Sequence, residues 1–316
     1  MLIRLGLLKR KTPYRLYSTT SALIQEWEAQ TKGKIHTSYD TISPSRLNLL
    51  ANTFPDVSLD FKNDTFPRHQ TPIPLGWHSA YFPDRSPESQ LGADGYESHF
   101  HPPEPFTGRL WAGAKMEWND LNRLKVGDQA VMYSFLESAE LKRSRLGESA
   151  LVWSVKDIHN QDGWAMRERR CLVFLPEQKE ANIATKEIKV QEKPDFSARL
   201  VPSSILLFRY SALTFNSHKI HFDHDYATKI EKHPACLVHG PLSATLLLNL
   251  LSLNMKKDQL LFSFEYKCIA PLYVNQPMIL NGKMTENGCD LWIVNDRDSL
   301  AVKGSAKFSA YKNIKT

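Results

Sequence analysis

The segment from Met116 to Asp128 lines up with the segment from Phe264 to Gln276 at an offset of 148 residues. Each copy reads apolar-Glu-aromatic (Met116-Glu117-Trp118 and Phe264-Glu265-Tyr266), then Leu121 or Ile269, then Leu-x-Val at Leu124 to Val126 and Leu272 to Val274. Alternation that runs into Gly127-Asp128 in one copy and Asn275-Gln276-Pro277 in the other predicts a strand, a connection and a further strand. A repeat of this kind marks a duplicated supersecondary unit, so the chain is expected to build two similar sheets. Its 316 residues leave room for two domains.

Strand-like runs follow each copy: Gln129 to Phe135 and Ala150 to Val155 in the first, Met278 to Asn281 and Asp290 to Val294 in the second. A Lys- and Glu-rich passage, Glu177 to Ser197, separates the halves and reads as a linker after a last strand over Glu187 to Val190. Leu242 to Leu253 is apolar on nearly every face, which predicts a fully buried helix too short to cross a bilayer. Pro241 suits its first helical position. In the first half, Leu50-Ala51-Asn52-Thr53-Phe54 echoes Ser211-Ala212-Leu213-Thr214-Phe215, but Pro55-Asp56 follows it in place of a histidine cluster. The first half is thus expected to keep the scaffold without the chemistry.

The net charge of +6 is concentrated at the start of the chain. Removing residues 1–17, with Arg4, Lys9, Arg10, Lys11 and Arg15 and no acid, lowers it to +1. That distribution argues against nucleic acid as partner. A basic, Leu-rich segment followed by Ser18-Thr19-Thr20 fits a mitochondrial presequence, with the cut expected after Tyr17. Its apolar stretch is too short for a membrane span. Cys171, Cys236, Cys268 and Cys289 have no paired spacing, so neither a zinc site nor a disulfide framework is suggested.

The densest group of functional side chains is Phe208 to Ala227, with His218, His221, His224, Asp223 and Asp225. Imidazole and carboxylate together suit a metal, but no HExxH spacing is present, and a loop entering a short helix capped by Asp223 or Asp225 is the better reading. No phosphate loop, dinucleotide fingerprint or nucleophile elbow occurs, and neither metal nor cofactor is expected.

This stretch resembles the hydratase signature of MaoC-like hot-dog enzymes, Ser-Gly-Asp-x-Asn-Pro-Leu-His-x-Asp before a short helix. His221 matches the signature histidine, His218 the Asn, Asn216 the Asp and Phe215 the Gly. Leu110-Trp111-Ala112-Gly113-Ala114 and Val238-His239-Gly240-Pro241-Leu242 are similar to segments of the branch holding fungal mitochondrial 3-hydroxyacyl-thioester dehydratases (type 2) and mesaconyl-type hydratases. The similarity covers residues 24 to 311.

The resemblance implies an α+β double hot-dog, two antiparallel sheets each wrapped around a central helix. Its parts would be a presequence (1–17), an N-terminal hot-dog domain without catalytic motif (18–190) and a C-terminal one with the active site (191–316). The implied reaction dehydrates a (3R)-3-hydroxyacyl thioester of acyl carrier protein to the trans-2-enoyl thioester. Its setting would be mitochondrial fatty acid synthesis in the matrix, supplying the lipoate precursor. His221 would move the proton, because imidazole titrates near neutrality. The Gly240 amide at the start of the buried helix would hold the enolate-like oxygen. Asn216, which cannot ionise, would orient the hydroxyl. His218, His239 and Tyr210 are expected around the substrate or behind these groups. Glu117 and Glu265, equivalent by duplication, are expected on strand surfaces. Coenzyme A thioesters as substrates, or a silent acyl-thioester-binding protein, are the alternatives, and with two fused halves a monomer is plausible.

Overall fold

The computed structural model describes residues 14–55, 57, 59–97, 99–144, 147–176, 187–256 and 258–309. The two repeat copies meet at its centre. Strand β2 (Gly108–Trp118) pairs antiparallel with β7 (Leu260–Cys268), and Met116 lies opposite Phe264, its own equivalent in the repeat. On either side of that point Lys115 faces Glu265 and Glu117 faces Ser263, as a two-fold relation between copies requires. Glu117 holds Lys115 at 2.7 Å, and Glu265 is exposed, so both take the expected strand-surface role.

The remaining strands are β1 (Ile35–Thr41), β3 (Gln129–Ser144), β4 (Gly147–Asn160), β5 (Gly163–Leu175), β6 (Phe196–Leu200), β8 (Met278–Thr285), β9 (Gly288–Val294) and β10 (Leu300–Ser309). They form one ten-stranded sheet in the order β1-β3-β4-β5-β2-β7-β10-β9-β8-β6, with every named pair antiparallel. Read from either edge, each half runs first, third, fourth, fifth, second strand. The architecture is a double hot-dog whose two sheets are merged at the centre. The merger demands a glycine. A Cβ on Gly113 (φ +150) would stand 2.1 Å from the Tyr266 carbonyl oxygen of the neighbouring strand, beside the register shift that follows Trp111.

The helices are α1 (Tyr14–Thr31), α2 (Pro44–Ala51), α3 (Ser204–Thr214) and α4 (Gly240–Asn254). Helix α4 is the expected buried helix; Leu242, Leu247, Leu248 and Leu251 have no exposed surface and drive it into the main core with Phe264, Leu291 and Ile293. It starts one residue before Pro241, which fits the first turn because no intrahelical partner awaits its missing N–H. α2 follows β1 as α3 follows β6, so the echo between the halves is structural. A smaller core (Ile24, Phe106, Leu136, Phe174) lies under α1. No helix among the described residues is long and apolar enough to cross a membrane.

The halves differ over the central helix. Tyr273 bridges Leu237 just before α4, and its repeat equivalent Lys125 bridges Pro72. The stretch after Pro72 therefore corresponds to α4, yet it makes only a 3-10 turn, Trp77–Ala80, before a long loop. A full-length central helix belongs to the second half alone among the described residues. The strand expected over Glu187 to Val190 reduces to a single bridge, Lys189 to Ser299, and β6 opens the second half instead. A Lys- and Glu-rich stretch lacks the apolar face that would hold it in a sheet.

Candidate active site

The expected site residues are assembled by two devices, the end of α3 and the start of α4. The Ser203 hydroxyl caps α3 by accepting from the Leu206 amide at 3.1 Å. At its other end Phe215 takes the left-handed conformation (φ +53, ψ +34), and the Asn216 amide donates back to the Ser211 carbonyl at 2.8 Å. Phe215 is thus in the conformation that suits the glycine of the signature it matches. Asn216 then turns the chain. Its Oδ1 accepts from the His218 amide at 3.0 Å, while its Nδ2 has no protein partner among the described residues. The Gly95 carbonyl accepts from the Ser217 hydroxyl, and the Asp94 and Ala93 carbonyls from the amide and Nζ of Lys219. A loop of the first half thereby holds the histidine loop of the second.

His221 closes the 3-10 turn Lys219–His221, and its Nδ1 donates to the Leu237 carbonyl at 2.9 Å. That bond fixes the tautomer and leaves Nε2 as the basic nitrogen. Burial pushes its pKa down to about 4, against the Leu237 bond, so the ring is neutral at ordinary pH. His239 stacks on it with centroids 3.6 Å apart, and His218 meets it edge-on at 5.4 Å. Burial first, and then His221, holds both of these rings well below the usual histidine range.

His239 Nε2 lies 2.8 Å from the Ser211 hydroxyl, and its Nδ1 is buried without a partner among the described residues. His218 Nε2 lies 3.5 Å from Asp94, which is itself 2.8 Å from Arg109 Nε. Tyr210 is buried, with its hydroxyl 3.1 Å from that of Ser79 and its ring 5.0 Å from His239, and burial pushes its pKa up to about 12. Asp223 caps the following turn through the Tyr226 amide, as expected.

Gly240 opens α4, so its amide lies at the positive end of the helix dipole and has no acceptor in the described chain. It must be glycine because Trp111 lies against it: a Cβ would stand 2.4 Å from the indole Cδ1 and 2.8 Å from Cγ. Gly240→Ala is expected to displace the indole, break the 3.0 Å bond from Trp111 Nε1 to the Tyr266 hydroxyl, and cost about 1–3 kcal/mol of stability. The shift of the urea midpoint at constant slope measures it.

Beside this group opens a cavity of about 170 Å³, walled in part by Tyr210, Asn216, Pro241 and Trp111. His221 and Gly240 are not in its wall. Its far side is the inner face of the first-half sheet, which the sequence reading did not single out. There Glu168 is buried, 2.6 Å from Arg170 and 3.3 Å from His78. Burial alone would raise the Glu168 carboxyl, but Arg170 and His78 override it and hold it well below the usual range. Lys156, pushed down to about 8 by burial with Arg170 adding to it, has no hydrogen-bond or ion-pair partner among the described residues. At another part of the wall Asp84, Glu97 and His99 bring their ligand atoms within 4.8 Å of one another, but His99 Nε2 is already bonded to Asp84 at 2.7 Å.

The merged double sheet and the histidine loop beside a buried helix start define a MaoC-like double hot-dog protein. The fold is shared with a MaoC-like dehydratase from Phytophthora capsici (TM-score 0.66, 13% identity, 92% of this chain and 98% of that one). It is shared also with HtdX of Mycobacterium tuberculosis (TM-score 0.61, 15% identity, 87% and 100%).

Residues 76–274 match the family described as hydroxyacyl-thioester dehydratase type 2, and the chain belongs to that family; it is a hydro-lyase. Over 228 residues it is 33% identical to mesaconyl-C(4)-CoA hydratase of Chloroflexus aurantiacus, covering 71% of this chain and 80% of the relative. Over 253 residues it is 30% identical to the mitochondrial hydroxyacyl-thioester dehydratase type 2 of Schizosaccharomyces pombe, covering 71% and 81%.

Proposed function

We propose that the protein dehydrates (3R)-3-hydroxyacyl thioesters of acyl carrier protein to trans-2-enoyl thioesters in mitochondrial fatty acid synthesis. The observation that carries the chemistry is the Nδ1 bond of His221 to the Leu237 carbonyl, which leaves a neutral, basic Nε2 at the end of the turn Lys219–His221. His221 Nε2 takes the C2 proton, and the electron pair moves onto the thioester carbonyl oxygen. The free Gly240 amide donates to that oxygen as negative charge develops.

The pair then returns to form the C2–C3 double bond as the C3–O bond breaks. The proton held by His221 goes to the departing hydroxyl, which leaves as water. Asn216 Nδ2 donates to that hydroxyl oxygen and orients it. His218 and His239, with Tyr210 behind His239, hold the His221 ring in place.

The mitochondrial setting is supported by the basic residues 1–17 and by the relative described as mitochondrial. Residues 1–13 lie outside the described residues, and the expected cut after Tyr17 falls within the first turn of α1. N-terminal sequencing of the mature protein checks it: Ser18 as first residue is the expected result. The 33% identity to a coenzyme A thioester hydratase favours a second reading, in which the carrier is coenzyme A.

Turnover of one 3-hydroxyacyl group on each carrier by residues 18–316 separates the two. A kcat/KM at least tenfold higher on acyl carrier protein is the expected result, and the reverse preference assigns coenzyme A. Asn216→Ala is expected to lower kcat about 10- to 100-fold, since an orienting hydrogen bond to a neutral hydroxyl supplies less than the proton transfer itself.

A further inference from the structure

The histidine loop departs from the hydratase signature at two neighbouring positions. Asn216 stands where the signature has Asp, and His218 stands where it has Asn. The first change removes a carboxylate from the loop, and the second puts an imidazole edge-on to His221. A residue of the first half links the two changes. Asp94 brings Oδ2 to 3.5 Å from His218 Nε2, so a carboxylate stands beside the loop although the signature position no longer supplies one.

The turn that carries Asp94 holds this carboxylate in place. Asp94 Oδ1 accepts from the Tyr96 amide at 3.1 Å, and the Gly92 amide donates to the Tyr96 carbonyl at 2.8 Å. Between them Gly95 takes φ +81, where a Cβ would run into the Ser217 carbonyl oxygen. Arg109 supplies the countercharge: its Nε lies 2.8 Å from Asp94 Oδ2, its Nη1 donates to the Glu97 carbonyl at 3.1 Å, and its guanidinium lies 4.7 Å from the Tyr96 ring centre. The side chains of Arg109, His218 and Asp94 are 7%, 11% and 15% exposed, so water screens this group little.

Burial keeps the His218 ring neutral, so it carries a single N–H. A ring lone pair turned toward a carboxylate at 3.5 Å would be repelled, which places the N–H on Nε2 and the lone pair on Nδ1. Nδ1 has no hydrogen-bond partner among the described residues. The departing hydroxyl needs such an acceptor. In the proposed reaction its oxygen takes a hydrogen bond from Asn216 and the proton from His221, while its own hydrogen is left to be accepted, and a polar hydrogen without an acceptor is costly in a dry site. Asn216 Oδ1 already accepts from the His218 amide.

We propose that Asp94 is a positioning residue of this site: it orients His218 so that Nδ1 accepts the hydrogen of the substrate's C3 hydroxyl, and a carboxylate of the first half thereby stands in for the one missing from the loop. The inference rests on the reading of the site as one for 3-hydroxyacyl thioesters. His221 remains the group that moves the proton, and Asp94 itself touches no reacting atom. The active site then belongs to both halves of the chain.

A double-mutant cycle on turnover of a 3-hydroxybutanoyl thioester by the full chain tests this. Asp94→Asn and His218→Ala are each expected to lower kcat about tenfold, and the two together no more than His218→Ala alone, because Asp94 acts through His218. Calorimetry with butanoyl-coenzyme A, which has no hydroxyl for His218 to accept, is expected to give affinities within about twofold throughout. A kcat within about twofold of the unmodified protein in either single variant overturns the proposal, and His218→Ala suffices for this if Asp94→Asn does not fold. Effects that multiply, or a matching loss of butanoyl binding, also overturn it, since a carboxylate that only braces the loop acts on every ligand and independently of His218.

No turnover by the unmodified protein on either carrier would overturn the proposed reaction instead. Binding then reads the role of Asp94 by itself. An affinity for 3-hydroxybutanoyl-coenzyme A at least about fivefold above that for butanoyl-coenzyme A, lost in Asp94→Asn, upholds it, and equal affinities in the unmodified protein overturn it.

Discussion

Replacing His221 by alanine is expected to lower kcat/KM for dehydration about 10³-fold or more, close to 4 kcal/mol of transition-state stabilisation. The magnitude follows from the site's chemistry. Asn216 cannot ionise and His239 presents Nε2 to Ser211, so one imidazole must both take the C2 proton and return it to the leaving hydroxyl. Among the described residues no neighbouring carboxylate stands ready to substitute; Asp94, linked to His218, is already engaged by Arg109.

The pH dependence carries a second signature. The base must be neutral to act, and burial holds the His221 pKa at about 4. The acid limb of kcat/KM is therefore expected near pH 4, below the range of an ordinary histidine, with activity falling as pH drops through it. A limb near 6.5 would show that a solvated group, and not this ring, is the base. A decrease under tenfold for His221→Ala with the fold intact by circular dichroism would remove His221 from the proton transfer.

The fold was legible because its strongest signals are apolar and periodic. The offset of 148 residues is the two-fold axis itself, and the all-apolar run at Leu242 to Leu253 could be stable only as a buried helix. The histidine loop could be found because His218, His221 and His239 are bounded by segments of recognisable pattern. The charged wall could not. Arg167-Glu168-Arg169-Arg170 is charged on both faces of β5, so a period of two does not tell inward Glu168 and Arg170 from outward Arg167, which pairs with Asp157, and Arg169, which pairs with Glu137. Lys156, between Val155 and Asp157, is hidden in the same way. The missing central helix left no positive mark, because the stretch around Trp77 to Phe106 carries Pro, Gly and aromatics in no fixed period. What betrays these residues is their counterparts: Ala306 for Glu168 and Cys289 for Lys156, a comparison that needs the register of the sheet.

Glu168→Gln is expected to destabilise the protein by about 3–5 kcal/mol, because it leaves the Arg170 guanidinium buried without its carboxylate. Urea unfolding at neutral pH measures the loss, and a change below about 1 kcal/mol would show that water screens this pair. The sign with pH is fixed by the direction of the shift. The folded carboxyl is held below its unfolded value, so its contribution is complete above the ordinary Glu range and fades as pH falls toward the folded pKa. The unmodified protein should lose stability on acidification, and Glu168→Gln should lose less over the same interval.

Adding Arg170→Met to Glu168→Gln is expected to recover part of the loss, since a buried pair removed together costs less than one partner removed alone. The second half already performs that comparison. With Ala306 in place of Glu168 and Cys289 in place of Lys156, it packs its strands against a full helix without a buried charge at those positions. If the double variant folds stably, Glu168 and Arg170 are dispensable to the fold.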